Sequence, residues 1–209
     1  MSHRILQSHI CRALLIAVIV GLATIMLFVQ RFLTVTQPTG QGVLVVEAWI
    51  PDQSLKSAAT AFSNGAYRYL VVIGHQEDSP DKSKCHFRMA TDELIRAGAP
   101  RDRVVTITLP SQEVNRTRTT AQGFKKWLLN ADPHLCCVDV YTVGVHARKS
   151  WITFRSVLGR DYRVGVIAGP ESTYDPNYWI GSRRGIWLVF RNLAGYLRSK
   201  YEIAVGAVN

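Results

Sequence analysis

Five short apolar runs, alternating with stretches of helical periodicity, limit what this chain can fold into more than any other feature. The runs cover residues 43–46, 69–73, 103–109, 138–143 and 163–167. The helical patterns cover 52–62, 87–96, 119–129, 147–158 and 186–201. A strand that is apolar on both faces needs cover on both faces, and a helix between successive strands supplies the crossover that parallel pairing requires. The order therefore predicts an α/β domain of Rossmann-like, three-layer architecture with a mostly parallel sheet. Punctuation residues agree: Pro51 stands at the start of one helix, Asn64 and Gly65 end it, and Gly98 closes the next. In the final pattern, Ile186, Val189, Phe190, Leu193 and Leu197 share one stripe, which reads as a terminal helix packing on the sheet; the rival reading, a basic amphipathic helix touching lipid, calls for a polar face richer in Lys and Arg.

The N-terminal stretch has a different character. Residues 13–29 carry no charge, and the apolar character nearly continues to residue 33, long enough for a helix to cross a bilayer core of about 30 Å. A buried core helix would show a polar face, and a cleaved signal peptide would end in a small-x-small site; here Gln30, Arg31, Phe32 and Leu33 follow. Arg4 and Arg12 precede the run and only Arg31 follows it closely, which orients the N-terminus inward. The expected organisation is a cytoplasmic N-terminus over 1–12, a transmembrane anchor over 13–33, a linker over 34–42 and one α/β domain over 43–209. That places the protein in the inner or plasma membrane as a single-pass protein, with its domain on the extracytoplasmic side.

Twenty-five Lys and Arg against fifteen Asp and Glu give a net charge of +10, which favours an anionic partner. Charge alone does not choose between a phosphorylated small molecule, an acidic lipid surface and nucleic acid. The basic residues are scattered and no nucleic-acid module is present, so nucleic acid is the disfavoured partner. There is no P-loop and no Gly-x-Gly-x-x-Gly, so the usual nucleotide fingerprints are missing. Cys11, Cys85, Cys136 and Cys137 lack the paired spacing of a zinc site, so no metal is expected. Cys136 and Cys137 read as buried thiols, with pairing to Cys85 left open.

Candidate site residues follow from the strand ends, because ligands in open α/β sheets bind outside the carboxyl ends of the strands. Glu47 follows the first strand, Gly74 and His75 the second, Arg116 and Thr117 precede the third crossover helix, and His146 and Arg148 follow the fourth strand. Arg116 and Arg148 are suited to bidentate capture of phosphate or carboxylate, Thr117 to one more hydrogen bond, and Asp175 to the rim. His146 is the candidate general acid or base, with Glu47 orienting it or activating water. Each residue has a structural alternative: Glu47 as a helix cap or the partner of an arginine, His75 and His146 as satisfied loop histidines, Arg116, Arg118, Arg148 and Lys149 as solvated charges, and Asp175 as a turn cap. Trp49, Trp127, Trp151 and Trp187 read as core or interface aromatics rather than a stacking platform.

Several of these segments also carry a resemblance. Val45-Val46-Glu47-Ala48-Trp49-Ile50-Pro51-Asp52, Gly65-Ala66-Tyr67-Arg68, Val71-Val72-Ile73-Gly74, Arg116-Thr117 ahead of Lys126-Trp127-Leu128, and Gly144-Val145-His146-Ala147-Arg148-Lys149-Ser150 occur in this order. Together they resemble the YdcF, SanA and ElyC family, a bacterial domain of unknown function, in its branch with a V-E-G-W-x-P-D opening. The resemblance runs from about residue 43 to near the C-terminus. It implies a Rossmann-like fold, often on a single membrane anchor, with a part in envelope integrity, peptidoglycan and lipid-carrier metabolism. One cytoplasmic relative is associated with S-adenosylmethionine; no settled reaction and no settled cofactor come with the family. The chain departs from the pattern at three places. Gly74-His75 stands for a glycine pair, Arg116-Thr117-Arg118-Thr119-Thr120 for Asn-Thr-x-Glu-Asn, and Ala48 for glycine. Two function classes stand at this point: an envelope enzyme acting on a phosphorylated or lipid-linked precursor, and a non-catalytic binding or scaffold protein.

Overall fold

Val, Ile and Leu crowd the strand runs, and these side chains favour the pleated, two-sided burial that a central strand provides. The computed structural model describes residues 2–76, 86–111, 114–132 and 134–206. In chain order the elements are α1 (Ser2–Leu33), β1 (Gln41–Glu47), α2 (Asp52–Asn64), β2 (Ala66–His75), α3 (His86–Arg96), β3 (Val104–Leu109), α4 (Arg116–Ala131), β4 (Cys137–Val143), α5 (Ala147–Leu158), β5 (Arg163–Gly169) and α6 (Arg183–Ala204). Single 3-10 segments occupy Arg101–Arg103, Gly144–His146 and Pro176–Gly181.

The five strands form one sheet in the order β3-β2-β1-β4-β5, and every pair is parallel. From β1 the chain steps outward to β2 and β3, then returns to the other side of β1 for β4 and β5. That reversal opens a crevice at the carboxyl ends of β1 and β4, the switch point of a doubly wound sheet. The period of two along β1 divides the core. Leu44 and Val46 face α2 and α3, while Val43 and Val45 face α4 and α5. On the second face Phe124 packs against Trp127 and Phe154, and both phenylalanines are fully buried. Each such side chain contributes roughly 1.5–3 kcal/mol of burial.

The expected linker is part of the fold. Gln37 bridges the β5 edge at Val166, and Thr36 Oγ1 accepts a hydrogen bond from the Ala168 N–H at 3.1 Å. Farther along, the buried Asp139 carboxylate of β4 accepts from the N–H groups of Thr39 and Gly40, both at 2.8 Å, and from the Tyr67 hydroxyl at 2.6 Å. Desolvation and this bond push the Tyr67 hydroxyl well above its ordinary pKa, so it stays a donor. Gly42 then enters β1 at φ +82°, where a Cβ would lie 2.1 Å from the Cys137 carbonyl oxygen; no other residue fits.

Two expectations need correction. α6 does not lie on a sheet face. It crosses the carboxyl edge, packing on α5, the last turns of α1 and the 3-10 turn after β4. Of its expected apolar stripe only Val189 is fully buried, and Ile186, Phe190 and Leu197 are exposed. Of the cysteines, Cys137 is buried but Cys136 is exposed, their sulfurs 3.3 Å apart; Cys85 lies outside the described residues.

α1 is a continuous helix of 32 residues, about 48 Å at 1.5 Å per residue. Val29 and Leu33 are buried against α6 and its neighbours, whereas Leu14, Leu15, Ile16, Val18, Val20 and Phe28 are exposed. Among the described residues no helix is long and apolar enough to cross a membrane. The side chains of Ala13, Ile19, Leu22, Ala23, Ile25 and Leu27, all within the uncharged run, lie outside the described set.

Asp139 gives the fold a sharp test. Asp139→Ala strands two backbone N–H groups and a buried hydroxyl, and is expected to lower stability by about 3 kcal/mol in denaturant unfolding. A loss below about 1 kcal/mol would show that the strap at 34–42 holds without it.

Candidate functional site

Helical geometry selects which residues after β4 reach the crevice. Gly144, at φ +44°, turns the chain into the 3-10 segment and then α5. At about 100° per residue, positions three and four apart share a face, whereas a residue two away is turned to the far side. His146, Lys149 and Ser150 accordingly point to the crevice, and Arg148 points away. The Ser150 hydroxyl donates to Glu47 Oε2 at 3.1 Å, and the same oxygen lies 4.0 Å from His146 Nε2. Glu47 is 2% exposed, and its carboxylate accepts from Ser150 rather than from the first N–H groups of α2, so capping is not its role.

α6 fixes the histidine. Asn192 donates through Nδ2 to the Leu188 carbonyl at 2.9 Å, which turns its Oδ1 toward His146 Nδ1 at 2.8 Å. Nδ1–H is therefore the donor, and in the neutral ring Nε2 carries the lone pair. Nε2 faces Glu47 and, at 3.5 Å, Thr117 Oγ1 at the start of α4. Trp49 packs edge-on against the imidazole with centroids 5.0 Å apart, and the residue is 43% exposed.

Around these groups is a cavity of about 360 Å³. Six of the eight residues expected from the sequence line it: Glu47, Gly74, His75, Arg116, Thr117 and His146. Arg148 and Asp175 do not. Arg148 donates through Nε to the Phe32 carbonyl and stacks over the Phe32 ring at 4.0 Å, tying α5 to the end of α1. Asp175 Oδ1 accepts from the Asn177 N–H at 2.9 Å and caps the 3-10 turn. His75 lines the cavity with both nitrogens engaged: Nδ1–H donates to the Pro110 carbonyl at 2.9 Å, and Nε2 is 3.1 Å from Thr120 Oγ1. Its role is to tie the end of β2 to the first turns of α4.

The cavity also contains Lys149, Leu188, Arg191 and Asn192, none of them on the expected list. Lys149 is signalled by its three-residue spacing from His146. Leu188, Arg191, Asn192 and Gly195 are spaced i, i+3, i+4, i+7, a second helical stripe that the apolar stripe beside it obscured. Gly195 makes room for the lysine: a Cβ there would lie 3.3 Å from Lys149 Cδ. Trp49 and Trp187 are exposed, unlike Trp127 and Trp151, which pack into the core as expected.

Three cations, Arg116, Lys149 and Arg191, thus border one cavity with Glu47 as its carboxylate, and none of the three makes an ion pair among the described residues. The first turns of α4 and α5 add their N-terminal partial charges. Asn115, left-handed at φ 56°, sits at the rim. Burial lowers the His146 pKa below its ordinary value; Glu47 and the Asn192 bond oppose the shift, and Lys149 and Arg191 add to it. Burial likewise lowers Lys149, opposed by Glu47 and reinforced by Arg191 and Arg198. A neutral imidazole with an available lone pair beside a cluster of cations is suited to deprotonating water or a hydroxyl next to a bound anion. Among the described residues no group of three or more His, Cys, Asp or Glu could hold a metal ion.

The fold and the cavity define a Rossmann-like α/β domain with a cationic pocket at its switch point. Compared with known proteins, the chain matches no family model and no curated protein.

The His146 environment is testable by NMR titration of its ring. The midpoint is expected below 6.5. Glu47→Gln removes a charge that favours imidazolium and moves the midpoint further down; Lys149→Met removes one that opposes it and moves the midpoint up. A midpoint above 6.5, or the opposite order of the two variants, would contradict the tautomer and charge assignment.

Proposed function

We propose that the cavity binds a phosphate-bearing anionic ligand and that His146 and Glu47 act on it by acid–base catalysis. The substrate class is a phosphorylated or lipid-linked cell-envelope precursor. The placement of Arg116, Lys149 and Arg191 around one cavity with His146, whose Nδ1 is held by Asn192, carries this reading. In hydrolysis, Nε2 takes a proton from water as its oxygen attacks phosphorus. The ester P–O bond breaks, and the departing oxygen takes the proton back from the imidazolium. Glu47, 4.0 Å away, stabilises the imidazolium between these steps.

The setting proposed for this chemistry is the extracytoplasmic face of the plasma membrane, with α1 as a single-pass anchor. Support comes from the uncharged residues 13–29, from the exposed apolar side chains of α1, and from the resemblance to the YdcF, SanA and ElyC family. A second reading, binding without turnover, is favoured by one observation. Two positions at which the chain departs from that family pattern, His75 and Thr120, touch each other at 3.1 Å, which closes a wall of the cavity with a structural contact.

Thermal-shift measurements on the full chain with inorganic phosphate, sugar phosphates and prenyl phosphates test both readings. Lys149→Met is expected to weaken the stabilising ligand about 10-fold or more, and Arg148→Ala to leave its affinity unchanged. His146→Ala is expected to abolish turnover while binding survives. Turnover that survives this change would overturn the catalytic reading, and no shift with any phosphate would overturn the anion pocket. The acid limb of the pH–rate profile is expected to fall below 6.5, since the base acts only when neutral and its pKa is depressed.

A further inference from the structure

From the exposed face of α6 we infer that this helix lies on an anionic bilayer surface beside the point where α1 enters the membrane. The inference rests on the proposal that α1 is an anchor. α6 has three faces. One, carrying Leu188, Arg191, Asn192 and Gly195, lines the cavity. A second, centred on Val189 and Leu193, packs with Val29 and Leu33 of α1. The third carries Ile186, Trp187, Phe190, Leu197 and Tyr201, all exposed, with Trp187 at 54%, Leu197 at 56% and Tyr201 at 68%. It spans about 22 Å at 1.5 Å per residue. A row of large apolar side chains of this length on a water-soluble surface marks an interaction site rather than chance exposure.

Two features choose the occupant. The first is charge: α6 carries Arg183, Arg184, Arg191, Arg198 and Lys200 against the single acid Glu202. Arg183 borders the same surface groove as Ile186, Trp187 and Phe190, so a cationic head flanks the apolar row as the headgroup boundary requires. The second is continuity. α1 packs on α6 through Met26, Val29 and Leu33, Phe32 meets Tyr196 edge-on at 5.4 Å, and Leu14, Leu15, Ile16, Val18 and Val20 of α1 are exposed. The helix proposed to enter the bilayer is therefore in direct contact with α6, which sets the third face within reach of the lipid headgroups. An acidic lipid surface satisfies both the apolar row and the flanking arginines.

The test reconstitutes the full chain into vesicles of phosphatidylcholine and phosphatidylglycerol, with and without brominated acyl chains. Flotation on a density gradient tests the anchor by itself. Tryptophan quenching by the brominated lipid tests α6. Trp187→Phe is expected to remove about half or more of the quenchable emission, since an interfacial tryptophan sits at headgroup depth. Ile186→Glu with Phe190→Glu is expected to reduce quenching of the remaining Trp187 at least about two-fold. Far-ultraviolet circular dichroism confirms that the variants fold. A chain that floats but whose quenching is unchanged by Trp187→Phe overturns the inference and leaves the anchor standing. Floating with Trp187 unquenched in a crosslinkable dimer also overturns it, assigning the face to a second copy. A chain that does not float overturns both.

Discussion

All five strands run in the same direction, and the rest of the molecule depends on that. A parallel pair cannot be closed by a tight turn, so every connection crosses back over a sheet face as a helix. Both faces are thereby covered, and every carboxyl end comes to one edge. Glu47 and the Gly144–His146 turn are about a hundred residues apart in sequence, yet β1 and β4 are neighbours. The switch in winding direction between them leaves a crevice instead of a packed connection. Glu47 and His146 meet there because the sheet has nowhere else to put them.

α6 turns that crevice into a site. Without it, His146 would lack the Asn192 carbonyl that fixes its tautomer, and the cavity would lack Arg191. The same helix holds the end of α1 and leaves an apolar row exposed, so the cavity, the α1 contact and an outer surface meet on one element. Arg148 contributes from α5, fastening the Phe32 turn by a hydrogen bond and a stacked guanidinium. Such contacts couple the position of α1 to the helix that follows His146.

The electrostatics of the cavity are internally consistent. Burial disfavours charge on both His146 and Lys149, and clustered cations disfavour it further, with Glu47 as the opposing influence. A bound anion would offset that repulsion and favour the charged form of the lysine, so ligand binding and protonation are linked. Glu47 is held by Ser150 and excluded from water, which keeps its charge directed at the imidazole.

From residue order alone came the five strands, the parallel α/β architecture and six of the residues that line the cavity, because strand burial and helix periodicity are written in local patterns of two and 3.6 residues. Helix phase, also local, would have exchanged Arg148 for Lys149. Other features are not local. That Asp139 gathers Thr39, Gly40 and Tyr67, that residues 34–42 strap the β5 edge, and that Asn192 orients His146 across 46 positions depend on which strands become neighbours and on where the last helix docks. The apolar stripe of α6 shows the division clearly. Its periodicity established an amphipathic helix, but only the tertiary packing decided which flank faces α1, which lines the cavity and which stays exposed, because an amphipathic pattern specifies a face and not its partner.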